Sequence, residues 1–355
     1  MTILEDAELR PLDNLIEPRW WTGAPATDPS RFTIDAADHR MNDGRPDLQG
    51  DLPLRMREVF ADVGVVHVVN TGLTEHSDMR ALAATVIDAE MSYAGGANPR
   101  ERIEPNVYEV GAPLEARLHY HHEMAYLAKS TRLLGFLAKS VVPGGGQTYV
   151  SDNIAATDAL LATEFGQRLR ELGVCYRRDL TDRDTFAGRL NYGVYNHWQQ
   201  SFGTEDPDEA VQRANERGLV SDWGPDRLLR THYRSSAFEY YPGLDRNLLF
   251  SSIADHGMWF DTWPLVQHLP YDQRPLGLTF GDGTEFTRHE LEQYVAVYDA
   301  HGTPIDWSVG DVAIVCNYRF AHGRPEIRLE PGQDRELGVM LGEQFDRVGA
   351  LDDKW

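Results

Sequence analysis

Four residues in one short stretch carry the groups from which a metal site is built. The segment RLHYHHEMAY (117–126) holds His119, His121, His122 and Glu123. It reads as a strand, and strand side chains alternate between faces, so His119, His121 and Glu123 share one face while His122 points away. A histidine and a carboxylate two residues apart can hold adjacent positions on one ion. Two imidazoles with one carboxylate suit iron(II) and leave three positions open for oxygen and a bidentate cosubstrate. The residues alone leave His119 and His121 competing for one ligand position. The remaining ligand must come from far along the chain. His322 is placed for it, at the end of the apolar run DVAIVCNYRF and just before Gly-Arg-Pro, where a strand meets a turn.

A second set of residues fits an anionic cosubstrate. Arg335 opens RELGVML (335–341), and two antiparallel strands joined by a loop would return it toward His322. The guanidinium fork pairs both oxygens of a carboxylate. Thr148, in GGGQTYVSD, offers a hydroxyl to the same group, and the glycines before it form no phosphate loop, since no Gly-Lys-Ser/Thr follows. For a substrate, Arg117 lies four residues before His121 on the same face and can pair a carboxylate or serve a structural ion pair. Asn106 and Tyr108 alternate on NVYEV, and Tyr126, Trp259 and Phe260 offer apolar walls or plain core. Arg324 reads as a structural residue of the His-Gly-Arg turn.

These residues need a scaffold that brings distant strands together. The spacing predicts a helix over 53–62 ending near Gly64, a buried strand at VVHVVN (65–70), and a helix beginning at Thr74 with an apolar stripe running to Ile87. From Asn106 short strands follow one another: 106–110, 117–126, 133–142 and 147–152. Then come a helix over 154–172, a strand at 174–180, and a helix over 206–217 opened by Asp206 and Pro207. Strands at FEYY (238–241) and LLFSS (248–252), a helix after Thr287, and strands at 311–318 and 335–341 complete the chain. The expectation is a mixed α/β, mainly β fold: a double-stranded β-helix, or jelly roll, with flanking and inserted helices. It is read as one domain over 1–355, with an N-terminal cover of helix and strand over 1–105, a core over 106–345 and a helical insert over about 154–235.

Composition narrows the partners. The chain has 34 basic and 56 acidic residues, a formal charge of −22, which repels phosphate backbones and anionic membranes. Two cysteines, Cys175 and Cys316, do not make a disulfide scaffold. The opening MTILEDAELRPLDN has no signal-peptide character, and no apolar run reaches the length of a membrane helix. The expectation is a cytoplasmic protein acting on a small molecule.

Taken in order, NVYEV, HHEMAY, PGGGQTYVSDN (143–153), the run 196–223, FGDGTEF (280–286), the run 307–327 and RELG resemble the taurine dioxygenase superfamily of iron(II)/2-oxoglutarate oxygenases. Within it the chain is most similar to the branch of clavaminate-synthase-like and syringomycin-type aspartyl hydroxylases. The resemblance implies His121, Glu123 and His322 as iron ligands, which settles the competition with His119, and Thr148 and Arg335 as the 2-oxoglutarate site. It implies iron(II), 2-oxoglutarate and O2 as cofactor and cosubstrates. Two positions depart from the wider pattern: Glu123 stands where most of the superfamily has Asp, and GGQTY replaces the common GGETP. A carboxylate at 123 occupies the place a halide would need, so oxygenation is expected over halogenation. The implied reaction is oxidation of an unactivated C–H, foremost hydroxylation, on a small amino acid or derivative, free or carrier-tethered, with release of succinate and CO2. Desaturation, epoxidation or cyclisation would use the same site. Two alternatives are of another kind: a cupin-like metalloenzyme using His119, His121 and His122 without 2-oxoglutarate, and a non-catalytic binding protein on a jelly-roll scaffold.

Overall fold

The computed structural model describes residues 24–91, 93, 100–185, 197–263, 267, 269–270 and 274–355. The opening segment 1–23, expected to help wrap the core, and Asn196 of the 196–223 run lie outside the described residues.

The apolar runs of the sequence become the centre of an eight-stranded sheet. Val312–Cys316, with every residue buried, lies between Val65–Val69 and Lys129–Ser140. Lys129–Ser140 pairs in turn with Glu336–Asp346, which continues to Val107–Glu109 and Arg102–Glu104, with Glu90–Met91 also on Glu336–Asp346. Thr33–Asp35 closes the other edge through a parallel pairing with Val65–Val69. A strand buried on both faces reads as a continuous β-branched run, and that is the texture of VAIVC and VVHVV.

The second sheet has four antiparallel strands in the order Gly302–Ile305, Thr148–Asp152, Phe320–Arg324, Leu118–His121. Phe136 of the large sheet stands 5.6 Å, ring to ring, from His322 of the small one, so the inner faces of the two sheets meet at the site. These sheets form the jelly-roll core of a mixed, mainly β fold. A further sheet, Val220–Trp223, Leu229–Ser235, Val174–Leu180, Leu276–Phe280, and the hairpin Phe238–Tyr241/Arg246–Leu249 flank it.

Helix ends follow local chemistry. Leu52–Val63 stops at Gly64, whose φ of 89° no β-carbon favours. Asp206 caps Pro207–Glu216, and Thr287 with Glu290 forms a capping box on Arg288–Asp299.

Several expectations are corrected. The helix expected over 154–172 is two, Asn153–Leu161 and Glu164–Leu172, because the Thr163 hydroxyl accepts the Gly166 N–H and restarts the helix. The helix expected from Thr74 is His76–Ala83, with no side-chain cap, so Val86 and Ile87 lie beyond it. The strand expected over 248–252 is Arg246–Leu249. The insert over 154–235 is only partly helical, since it contributes three strands to the flanking sheet. Nor is the N-terminal part a mere cover: Thr33–Asp35, Val65–Val69, Glu90–Met91 and Arg102–Glu104 are strands of the large sheet itself. Val65–Val69 is announced by its β-branched run; the other three are too short for periodicity to announce them, and main-chain pairing with neighbouring strands holds them.

Candidate metal and 2-oxoglutarate site

The strand Leu118–His121 is the edge of the small sheet, and its last residue lies opposite His322 in the antiparallel register. The imidazole centroids are 4.3 Å apart. Pairing in the sheet, rather than a strand end beside a turn, presents His322: it is the middle residue of Phe320–Arg324. Gly323 follows because a β-carbon there would lie 2.4 Å from the Tyr149 ring and 2.5 Å from the Leu118 carbonyl.

Glu123 reaches the two imidazoles by a route that differs from the expected one. The strand stops at His121, and Met124 takes a φ of 58°, so alternation does not place the carboxylate. Asn317 does so, through its backbone. The Asn317 side-chain carbonyl accepts the Glu123 N–H at 2.9 Å, its amide donates to the Glu123 carbonyl at 3.2 Å, and Ser130 donates to the same carbonyl at 2.8 Å. Glu123 Oε2 then stands 3.9 Å from His322 Nε2. Ligand atoms of His121, Glu123 and His322 all lie within 4.8 Å of one another, the one such trio among the described residues.

The protonation pattern suits a metal. His121 Nδ1 is 2.8 Å from the His119 carbonyl, an acceptor only, so Nδ1 carries the proton and Nε2 keeps its lone pair. His322 is held neutral: burial, then the charges of His121, His122 and Arg100, push it well below the usual imidazole range. Three buried ligand groups, two imidazoles and one carboxylate, fit a divalent cation.

The other histidines of the stretch do other work. His122 faces away, stacks on Phe250 at 5.0 Å and accepts the Ser251 N–H on Nδ1 at 3.1 Å. His119 is buried, is pushed down to about 3 by burial and the Arg117 charge, and lies outside the trio. The histidine set of a cupin-like site is therefore not gathered.

Arg335 lies against Gly146, two residues before Thr148 at the start of the inner strand Thr148–Asp152. The strands carrying His322 and Arg335 belong to different sheets rather than to one antiparallel pair, so the packing of the two sheets returns Arg335. Its Nη2 donates to the Gly146 carbonyl at 3.1 Å, and among the described residues it has no ion-pair partner. Burial pushes it down to about 10, the mark of a cation lacking an anion. Gly146, with φ of 70°, lets the chain pass over it, since a β-carbon would lie 3.1 Å from Arg335 Nε. Thr148 Oγ1 accepts the Trp307 indole N–H at 3.1 Å, which leaves the hydroxyl proton for another acceptor.

A cavity opens on His121 and Glu123, walled by Tyr93, Tyr126, Trp259 and Leu276, with Arg100, Asp255 and His256 as further polar groups. Tyr126 and Trp259 thus line the cavity beside His121 and Glu123. Phe260, named with them, is core, packed on Trp259. Three other residues do not line the cavity. Asn106 bonds Glu90, Tyr108 packs on Tyr93 at 5.8 Å, and the buried Arg117 pairs with Glu326 at 3.3 Å. Arg324 donates to the carbonyls of Ala112, Pro113, Leu114, Ala116 and Pro325, which fixes the loop before the metal strand. Arg100, Asp255 and His256 were not singled out from the sequence. Their significance comes from partners 23 or more residues away, which periodicity does not report.

Residues 29–341 match the Taurine catabolism dioxygenase TauD, TfdA family, and the chain belongs to it. It is an iron(II)/2-oxoglutarate-dependent dioxygenase with O2 as cosubstrate. A clavaminate synthase-like protein of Arabidopsis thaliana is 27% identical over 240 residues, 66% of this chain and 69% of that protein. The dapdiamide synthesis protein DdaC of Enterobacter agglomerans is 22% identical over 272 residues, 75% and 79% of the two chains. A taurine dioxygenase structure from Burkholderia xenovorans is similar at TM-score 0.47 and 14% identity, covering 91% and 89% of the two chains. The family assignment rests on the sequence match and not on that distant likeness. No helix among the described residues is long and apolar enough to cross a membrane.

Proposed function

We propose that His121, Glu123 and His322 hold the iron, that Arg335 and Thr148 receive the distal carboxylate of 2-oxoglutarate, and that the enzyme hydroxylates a small amino acid or amino-acid-derived substrate, free or carrier-tethered. The observation that carries the reading is the buried trio with its ligand atoms within 4.8 Å and His121 Nδ1 tied to a carbonyl. The unpaired Arg335 beside the proton-bearing Thr148 supports the second part. Similarity to a dapdiamide synthesis protein supports an amino-acid-derived substrate of specialised metabolism.

The bound iron would supply oxygen activation coupled to decarboxylation of 2-oxoglutarate to succinate and CO2. The chain's own part is positional. His119 and Asn317 aim the ligands, Arg335 and Thr148 fix the cosubstrate's far end, and the Tyr93, Tyr126, Trp259 and Leu276 walls keep water from the reacting carbon.

The test is anaerobic addition of iron(II) and 2-oxoglutarate. A weak charge-transfer absorbance is expected, and it is lost in His121→Ala. Succinate release is then followed across a panel of amino acids. Absence of both signals would overturn the proposal.

A further inference from the structure

We propose that Asp255 is the substrate anchor of this site and that it binds an alkylammonium group. The inference rests on reading the cavity as the substrate site. Asp255 sits in the first turn of Ile253–Thr262 and lines the cavity that opens on His121 and Glu123. Its carboxylate accepts the His119 N–H. Its Oδ1 is buried without a hydrogen-bond partner. A buried carboxylate oxygen left without a donor is costly, and a donor arriving with the ligand would remove that cost.

No resident cation is available to do this. Arg100, in the same cavity, bonds Glu123 through Nη2 and makes no ion pair with Asp255, its Nε and Nη1 standing without partners. Arg324, whose charge acts on Asp255, directs its donors to five main-chain carbonyls. Among the described residues Asp255 has no ion pair. Setting aside the trio and Arg100, the cavity therefore offers one carboxylate, with the rings of Tyr93, Tyr126, His256 and Trp259 on the same wall, a setting that suits a cationic amine. Burial raises the Asp255 carboxyl, and an ammonium seated beside it would favour the charged form.

The anchor is rigid relative to the metal ligands. The Ser251 carbonyl accepts the His122 N–H at 2.9 Å, the Ser251 N–H donates to His122 Nδ1 at 3.1 Å, and the Ser252 N–H donates to the Tyr176 hydroxyl at 3.0 Å. The start of the helix is thus bolted to the residue after His121. An ammonium on Asp255 would hold the rest of the substrate at a fixed reach from His121 and Glu123, which is what selects one carbon for oxidation.

The probes are the twenty proteinogenic L-amino acids and their N-acetyl derivatives, with the iron- and 2-oxoglutarate-loaded enzyme. Two readouts are followed: perturbation of the anaerobic charge-transfer band, and succinate release. Free amines are expected to perturb the band and stimulate succinate, and their N-acetyl derivatives are not. Asp255→Asn is expected to weaken the amine response by about 30-fold or more, as for loss of one partner of a buried charge pair. Asp255→Glu, which keeps the charge, is expected to recover part of it. Thermal melts establish that both variants fold. N-acetyl derivatives acting as well as free amines, no free amine acting at all, or full amine affinity in a folded Asp255→Asn would overturn the proposal. A parent enzyme with no charge-transfer band would instead bring down the iron reading, and this inference with it.

Discussion

A single nitrogen of Arg100, Nη2, stands 3.1 and 3.0 Å from the two carboxylate oxygens of Glu123. Both side chains are buried, and the Arg100 guanidinium also lies 4.6 Å over the Tyr93 ring. One donor shared by both oxygens leaves each a lone pair for a metal, so Arg100 orients Glu123 rather than replacing the ion. Arg100→Gln is expected to lower iron(II) affinity by about 10- to 100-fold, the usual effect of losing a residue that orients a ligand. Calorimetric titration of the metal-free enzyme measures it. A rise in affinity would mean that Arg100 competes with the ion.

Arg335 separates a cosubstrate role from a structural one. Removing a half-buried cation from a carboxylate it pairs costs about 2–4 kcal/mol, so Arg335→Met is expected to raise the 2-oxoglutarate dissociation constant by about 30- to 700-fold. Thr148→Val, losing one hydrogen bond of about 0.5–1.5 kcal/mol, is expected to raise it by about 2- to 10-fold. In the absence of 2-oxoglutarate, Arg335→Met is expected to melt no lower than the parent, because the arginine is half-buried without an anion. A large drop in melting temperature with unchanged 2-oxoglutarate affinity would sink the assignment.

What the sequence made legible followed from local chemistry. The runs VVHVV and VAIVC announced buried strands, and the Thr287/Glu290 box and Asp206-Pro207 announced helix starts. The residues of the trio were legible as types at a spacing, yet strand alternation is not what brings Glu123 beside the two imidazoles. Period-two alternation continues through HYHHEMAY in the letters, but the backbone leaves the strand at His121, and Asn317, 194 residues away, sets the carboxylate's position. Arg117 shows the reverse. It has the spacing of a site residue, and Glu326 claims it. Long-range partners decide both cases, and neither period nor propensity encodes them.

Gly323 ties the fold to the metal site. A methyl there would meet the Tyr149 ring and the Leu118 carbonyl within 2.5 Å, at the point where the register between the His322 and His121 strands shifts. Either the strands separate or Tyr149 gives up its hydrogen bond to the Leu118 carbonyl. Gly323→Ala is expected to destabilise by about 1–3 kcal/mol and to weaken metal binding with it. Urea midpoints with and without iron(II) measure both. A variant as stable as the parent would show that the sheet absorbs the methyl.

His256 makes stability fall in acid. It lies buried between the rings of Tyr126 at 5.0 Å and Tyr176 at 4.9 Å, with Nδ1 on Ser252 and Nε2 without a partner. Burial, then the Arg178 charge, push it down to about 3, against a small opposing effect of its bond to the Ser252 backbone and a further lowering by His121. Above about pH 6.5 the imidazole is neutral in both folded and unfolded chains and adds no pH dependence. Between about 6.5 and 3 the unfolded chain takes up a proton that the folded chain refuses, so stability declines by about 1.4 kcal/mol per pH unit for this one group. His119 and His122, also pushed down to about 3 chiefly by burial, act in the same direction. In metal-free protein, His256→Gln is expected to make the fall in urea midpoint between pH 7 and pH 5 visibly shallower than in the parent. An unchanged slope would mean that His256 gains a proton in the folded state and is not held neutral by its surroundings.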